Sequence, residues 1–196
     1  SMPTYRYRFM SEEVNEKVYV IGGQGTIDDG PWESGKPWEF KSHVEIYDPA
    51  IDSWSTGTSA PSNVAGGASC IINDEVYVLG GYVGGTLGSD TYVYNTTNDS
   101  WTARSPAPVA RSSHTCVSIG SNFYLMGGAN SQALDSLEVY STELDSWREV
   151  GFLPAARHSF SANSIDSTIL LFGGMAGGTT SLLNTVEKVD TSMIQE

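Results

Sequence analysis

Val18-Tyr19-Val20-Ile21-Gly22-Gly23 sets four apolar residues ahead of two glycines. The chain repeats this as Val76-Tyr77-Val78-Leu79-Gly80-Gly81, as Phe123-Tyr124-Leu125-Met126-Gly127-Gly128 and as Ile169-Leu170-Leu171-Phe172-Gly173-Gly174. β-Branched and aromatic residues suit a buried pleated surface, so each copy predicts a buried strand. The glycine pair supplies positive φ, or a close backbone approach, where the strand is expected to stop.

Spacing turns four strands into an architecture. From Gly22 to Gly80 is 58 residues, from Gly80 to Gly127 is 47, and from Gly127 to Gly173 is 46. Repeats of this length are propeller arrays, in which one unit cannot bury its own faces. Each of the first three copies is followed by a Tyr and, seven positions on, a Trp: Tyr47 and Trp54, Tyr94 and Trp101, Tyr140 and Trp147. An apolar strand, Gly-Gly and Tyr-x6-Trp together resemble the kelch repeat of β-propellers, over nearly the whole chain. The resemblance implies an all-β, kelch-type β-propeller of four repeats within one unit, 1–196. The repeats run about 5–60, 61–107, 108–153 and 154–196.

Around each glycine pair the same counting predicts further strands. First strands are expected at about Tyr5 to Met10, Gly67 to Ile72, Ser113 to Ile119 and His158 to Asn163. Third strands are expected at His43 to Tyr47, Thr91 to Tyr94, Leu137 to Tyr140 and Val186 to Val189, where Val44-Glu45-Ile46-Tyr47 shows period two. Asp52-Ser53, Asp99-Ser100 and Asp145-Ser146 read as turn residues that bond their local backbone. The Trp residues that follow recur with the repeat and are expected to be buried between blades. In repeat four Val189 stands where Tyr belongs and no Trp follows, so the last blade is expected to lack a fourth strand. Kelch propellers usually have more blades. The expectation is therefore a piece of a longer propeller, or a unit that completes itself as a homodimer. Ser1-Met2 reads as a cleavage scar ahead of a start codon.

Composition narrows the function. The formal charge of −13 argues against a nucleic-acid partner, which needs a basic patch. No run of about 18 apolar residues marks a membrane helix. Cys70 and Cys116 lie in corresponding strands of different repeats and read as buried free thiols. His43, His114 and His158 occupy different strand positions, and no His-x-Glu, His-Glu-x-x-His or Cys-x-x-Cys occurs. No Gly-x-Ser-x-Gly or phosphate-cradling loop is present. The reading is therefore no enzyme, no cofactor and no metal. The alternative class, which the resemblance brings with it, is a carbohydrate-active or metal-dependent kelch enzyme, galactose oxidase-like or sialic acid isomerase-like. Asn95-Thr96-Thr97 and Asn98-Asp99-Ser100 fit the glycosylation pattern and set a secreted protein against the leading cytoplasmic expectation.

Two features point to a ligand. Repeat one carries 23 residues between Gly23 and Tyr47, against 12 and 11 in repeats two and three. The extra segment holds Trp32 and Trp38, which either serve a binding loop or pack onto their own blade. Sixteen positions before each first glycine stand Arg6, Val64, Arg111 and Arg157. In kelch domains resembling this one, arginines at this position hold acidic peptide side chains. The resemblance thus implies a protein or peptide ligand on the face that bears the second-to-third-strand loops, met by Arg6, Arg111, Arg157, Trp32, Trp38 and His158. The opposing reading pairs each Arg with a neighbouring carboxylate, and the two stand open.

Overall fold

The structure, a computed structural model, describes residues 1–177, 181–192 and 194. Four antiparallel blade sheets follow one another along the chain, with two smaller sheets beside them. Blade one joins Met10–Val14, Lys17–Ile21, Val44–Asp48 and Ser53–Gly57 in that order. Blade two joins Ala68–Ile72, Glu75–Val83, Thr86–Asn95 and Ser100–Arg104. Blade three joins Thr115–Ile119, Asn122–Met126, Ser136–Ser141 and Ser146–Phe152. Blade four has three strands among the described residues, Ser161–Ile165, Thr168–Phe172 and Val186–Asp190. No helix occurs among the described residues. First strands of successive blades lie against one another, which makes them innermost.

Period two within each Gly-Gly strand sends alternate side chains to opposite neighbours. Tyr19 and Ile21 of blade one meet Val76 and Val78 of blade two. Tyr77 and Leu79 of blade two meet Phe123 and Leu125 of blade three. Tyr124 and Met126 of blade three meet Ile169 and Leu171 of blade four. Three apolar clusters therefore string four blades together. On the far face of blade four, Phe172, Val186 and Ile165 are exposed.

The first strands start later than expected in blades one and four, at Met10 and Ser161. The reason is a left-handed residue fourteen positions before each first glycine. Arg8, Gly66, Ser113 and Ser159 have φ of 58°, 67°, 57° and 53°. Such a residue breaks an extended run, so the strand begins after it. These residues also step from blade to blade: the Gly66 N–H donates to Arg8 O, Ser113 N–H to Gly66 O and Ser159 N–H to Ser113 O. The glycine pairs sit beneath this ladder. A Cβ on Gly22 would lie 2.2 Å from the Val64 carbonyl oxygen of the next link, so only glycine fits. In blade two the strand does not stop at its glycines but runs on through a bulge to Val83.

Two further expectations are corrected. Cys70 and Cys116 are not free thiols; they form a disulfide, with Cα atoms 6.2 Å apart. They lie one position out of register on adjacent innermost strands, Cys70 opposite Tyr77 and Cys116 opposite Leu125, so their side chains leave opposite faces of their blades and meet between them. Trp101 and Trp147 sit at blade interfaces, packed on the clusters, but are half-buried rather than buried.

Candidate functional site

The arginines come first, because their geometry matches the second of their two readings, the pairing with a neighbouring carboxylate. Arg6 pairs with Glu45, Arg111 with Glu138 and Arg157 with Glu187, each Glu on the third strand of the same blade. All three Arg side chains are almost wholly buried. Each also donates to the carbonyl of its blade's first glycine, Gly22 at 2.8 Å, Gly127 at 3.1 Å and Gly173 at 3.0 Å. Arg111 adds the Ser136 hydroxyl at 2.9 Å. A guanidinium committed this way ties the innermost link to the second and third strands of its blade. It has no free fork for a ligand carboxylate. His158 is half-buried on blade four, its Nδ1 3.0 Å from the Ser159 hydroxyl.

The long segment of repeat one is built rather than loose. Gln24–Thr26 and Trp38–Phe40 form a hairpin, and Arg6–Tyr7 adds a third strand to it. Lys41 anchors the hairpin. Its side chain is 1% exposed, and its ammonium donates to Thr26 O and to the Glu39 carboxylate, both at 2.7 Å, and to Asp29. Burial alone would depress the Lys41 pKa; its hydrogen bonds to Asp29 and Glu39 carry it above its ordinary value instead. At the tip, Lys36 donates to Asp28 at 2.9 Å, a hydrogen bond that pulls the Asp28 pKa down to about 2.

This hairpin carries an aromatic platform. Trp38 and Phe40, two apart on one strand, share a face. Trp38 meets the Tyr7 ring edge-on at 5.5 Å, and Phe40 stacks on Tyr82 of blade two at 5.7 Å. The Arg8 guanidinium lies 5.3 Å from the centre of the Tyr82 ring. Tyr7 is 48% and Trp38 43% exposed, and Trp32 near the hairpin tip is 62% exposed. Arg8 is exposed and makes no ion pair among the described residues. The two Trp residues expected from the sequence are thus accessible, and the structure brings Trp38 together with Tyr7, Phe40, Tyr82 and Arg8. Arg8, Phe40 and Tyr82 were not singled out in the sequence. Tyr82 reaches the platform because the second blade's central hairpin is longer than its counterparts. No group of three or more His, Cys, Asp and Glu that could hold a metal ion occurs among the described residues.

Comparison with known proteins agrees with the blade geometry. The KLHDC2/KLHL20/DRC7 Kelch-repeats domain matches residues 1–174. The chain belongs to the kelch-repeat family. Kelch-like protein 36 of Bos taurus is 31% identical over 140 residues, 70% of this chain and 21% of that protein. Kelch-like protein 23 of Pongo abelii is 29% identical over 126 residues, 62% and 20%. Beta-scruin of Limulus polyphemus is 25% identical over 138 residues, 66% and 14%. The chain therefore spans about a fifth or less of the length of these kelch relatives.

Proposed function

We propose that this kelch unit is a non-enzymatic protein- or peptide-binding module, and that it binds through the platform of Tyr7, Trp38, Phe40, Tyr82 and Arg8. The observation that carries the reading is a group of four rings, Tyr7 and Trp38 exposed and Phe40 and Tyr82 half-buried, gathered at a hairpin fixed by a buried lysine. Aromatic side chains that expose this much surface on a rigid support lose little entropy on binding and are enriched at binding hot spots. Kelch-like relatives are consistent with such a role. The platform asks for an extended, largely apolar segment lying across the rings, with one carboxylate for Arg8, since a guanidinium holds a carboxylate by two parallel hydrogen bonds. Arg6, Arg111 and Arg157 take no part.

Selection from a random peptide display library against the immobilised chain tests this. Enriched peptides are expected to weaken at least tenfold, about 1.4 kcal/mol, against Trp38→Ala and against Arg8→Ala chains whose melting temperature is unchanged. Enriched peptides that bind both variants as tightly as the parent would remove the platform as the site.

A further inference from the structure

We propose that Asn98 is the acceptor of an N-linked glycan, and that the chain folds in an oxidising secretory compartment where such glycans are attached. The site lies at the opposite end of blade two from the aromatic platform and stands on other observations.

The first is the turn between the last two strands of blade two. It holds two consecutive acceptor patterns, Asn95-Thr96-Thr97 and Asn98-Asp99-Ser100. Their asparagines are not alike. Asn95 is half-buried, and its side chain is engaged at both polar atoms. Its Oδ1 accepts from the N–H groups of Thr97 at 3.0 Å and Asn98 at 3.1 Å, and its Nδ2 donates to Glu75 Oε1 at 3.2 Å. Asn95 thus shapes the turn. Asn98 is exposed at its tip. Its Oδ1 accepts from the Ser100 hydroxyl at 2.6 Å, and no hydrogen bond engages its Nδ2 among the described residues.

The second is what the repeat does with this position. Three residues before the Trp of each blade, Asn98 has Ile51 and Leu144 as its counterparts. These two residues are 72% and 76% exposed. A large apolar residue left that open in two other copies shows that the turn aims this position into solvent. The next residue is fixed: Asp99 accepts from the Thr58 N–H at 2.6 Å and from the Tyr94 hydroxyl at 2.5 Å. A glycan is bulky and hydrophilic, and a chain that receives one early must finish folding around it. This fold leaves the room at Asn98, whereas at Asn95 the same nitrogen is bonded to Glu75.

The third is the disulfide. Cys70 and Cys116 are the chain's two cysteines, and they are joined to each other across the junction of blades two and three. Disulfides persist in oxidising compartments and are rare where cellular thiols keep cysteines reduced. An inter-blade staple and an exposed acceptor therefore ask for the same surroundings by unrelated chemistry.

In the transfer, Asn98 Nδ2 forms a bond to C1 of a sugar carried on a lipid diphosphate. The C1–O bond to the diphosphate breaks, the amide gives up one proton, and the lipid diphosphate leaves. The Asn98 oxygen is untouched and keeps its bond from Ser100. Strand Glu75–Val83 starts beside this turn, where Glu75 pairs with Asn95, and reaches Tyr82 of the platform seven residues on, roughly 20 Å away. A glycan on Asn98 leaves the platform open.

The full chain, secreted from cultured animal cells behind an added cleavable signal, tests the proposal. Peptide N-glycosidase in heavy-oxygen water converts each glycan-bearing Asn to a labelled Asp that peptide mass spectrometry locates. Label is expected at Asn98 in most molecules and at Asn95 in few, with Cys70 and Cys116 recovered in one linked peptide. Asn98→Gln and Ser100→Ala are each expected to abolish the label at position 98 without loss of secretion. Reduction of the secreted chain is expected to lower its melting temperature by several degrees. An unlabelled Asn98, or more label at Asn95 than at Asn98, overturns the site. Label that survives Ser100→Ala is deamidation rather than glycan and overturns it too. Free thiols in the secreted chain, or a melting temperature unchanged by reduction, overturns the oxidising compartment.

Discussion

Blades one and three carry the same devices, yet among the described residues only blade three has a blade packed in front of its Tyr and Trp. Within the blades the two are alike: Arg6–Glu45 and Arg111–Glu138 are both buried and both reach a glycine carbonyl. Between blades they part. Tyr140, Asp145 and Trp147 dock on blade two through Ser105. Tyr47, Asp52 and Trp54 keep the internal pair, Tyr47 to Asp52 at 2.8 Å and ring to ring at 5.1 Å, but no preceding blade takes up the Asp and the indole among the described residues. One motif thus contains two separable functions. The Arg–Glu pair organises a blade from inside, and the Tyr–Asp–Trp set joins it to the blade before.

The sharpest test is of the pair. Blade two has Val64 where the others have Arg, and Tyr92 where they have Glu. The chain has thus exchanged both partners at once and kept the fold. Glu138→Ala would strand a buried guanidinium and is expected to cost roughly 3–5 kcal/mol. The double change Arg111→Val with Glu138→Tyr, which copies blade two, is expected to recover most of that loss. Urea denaturation of the three chains checks it. A double variant as unstable as the sum of its parts would mean that the pair serves something other than its own blade.

Next in size is the contrast between tryptophans. Trp147→Ala removes a ring packed on Phe123 at 5.3 Å and an inter-blade hydrogen bond. Because the ring is only half-buried, a loss of about 2–4 kcal/mol is expected, below the full range for a core Trp. Trp54→Ala is expected to cost less, about 1 kcal/mol, because Tyr47 is its one aromatic ring contact among the described residues. Equal losses at the two sites would show that the face of blade one is covered in solution, and light scattering would then find an assembly larger than 21.1 kDa.

Much of this contrast was legible in the sequence, and the part that was not has physical causes. The Gly-Gly spacing placed all four blades because glycine is required wherever a link crosses a strand end at contact distance. Glu45, Glu138 and Glu187 stand two residues before Tyr47, Tyr140 and Val189, and Tyr92 takes that place in the repeat that lacks Arg. That matched substitution was the available signal that the arginines are internal. Reading each Arg alone hid it. The strand starts were misplaced because Arg8, Ser113 and Ser159 are left-handed without being glycine, a state no local pattern announces. Asp99 and Asp145 read as local turn residues, but they spend their carboxylates on the neighbouring blade. The aromatic platform was half visible, as Trp38, and half hidden, because Tyr82 arrives from another repeat.

The last effect appears only on acidification and concerns a buried residue of blade three that blade one replaces by Phe9. His114 is buried, with Nε2 3.0 Å from Leu79 O, and burial, helped by the charge of Arg111, pushes its pKa down to about 3. In the unfolded chain it titrates near 6.5. The unfolded state therefore binds more protons throughout the interval between, and stability falls as the pH drops below about 6.5 toward 3. By pH 5 the loss from this one residue is about 2 kcal/mol, at roughly 1.4 kcal/mol per pH unit. Asp99 and Asp145, held below their ordinary range by the Tyr94 and Tyr140 hydroxyls, add their own losses only at lower pH. His114→Phe, the residue that Phe9 and Phe160 place at the same position, is expected to flatten the stability profile between pH 6.5 and pH 5 while leaving the steeper fall near pH 3–4. A profile unchanged by the substitution would mean that His114 is reached by protons in the folded state, and that the junction of blades two and three opens in solution.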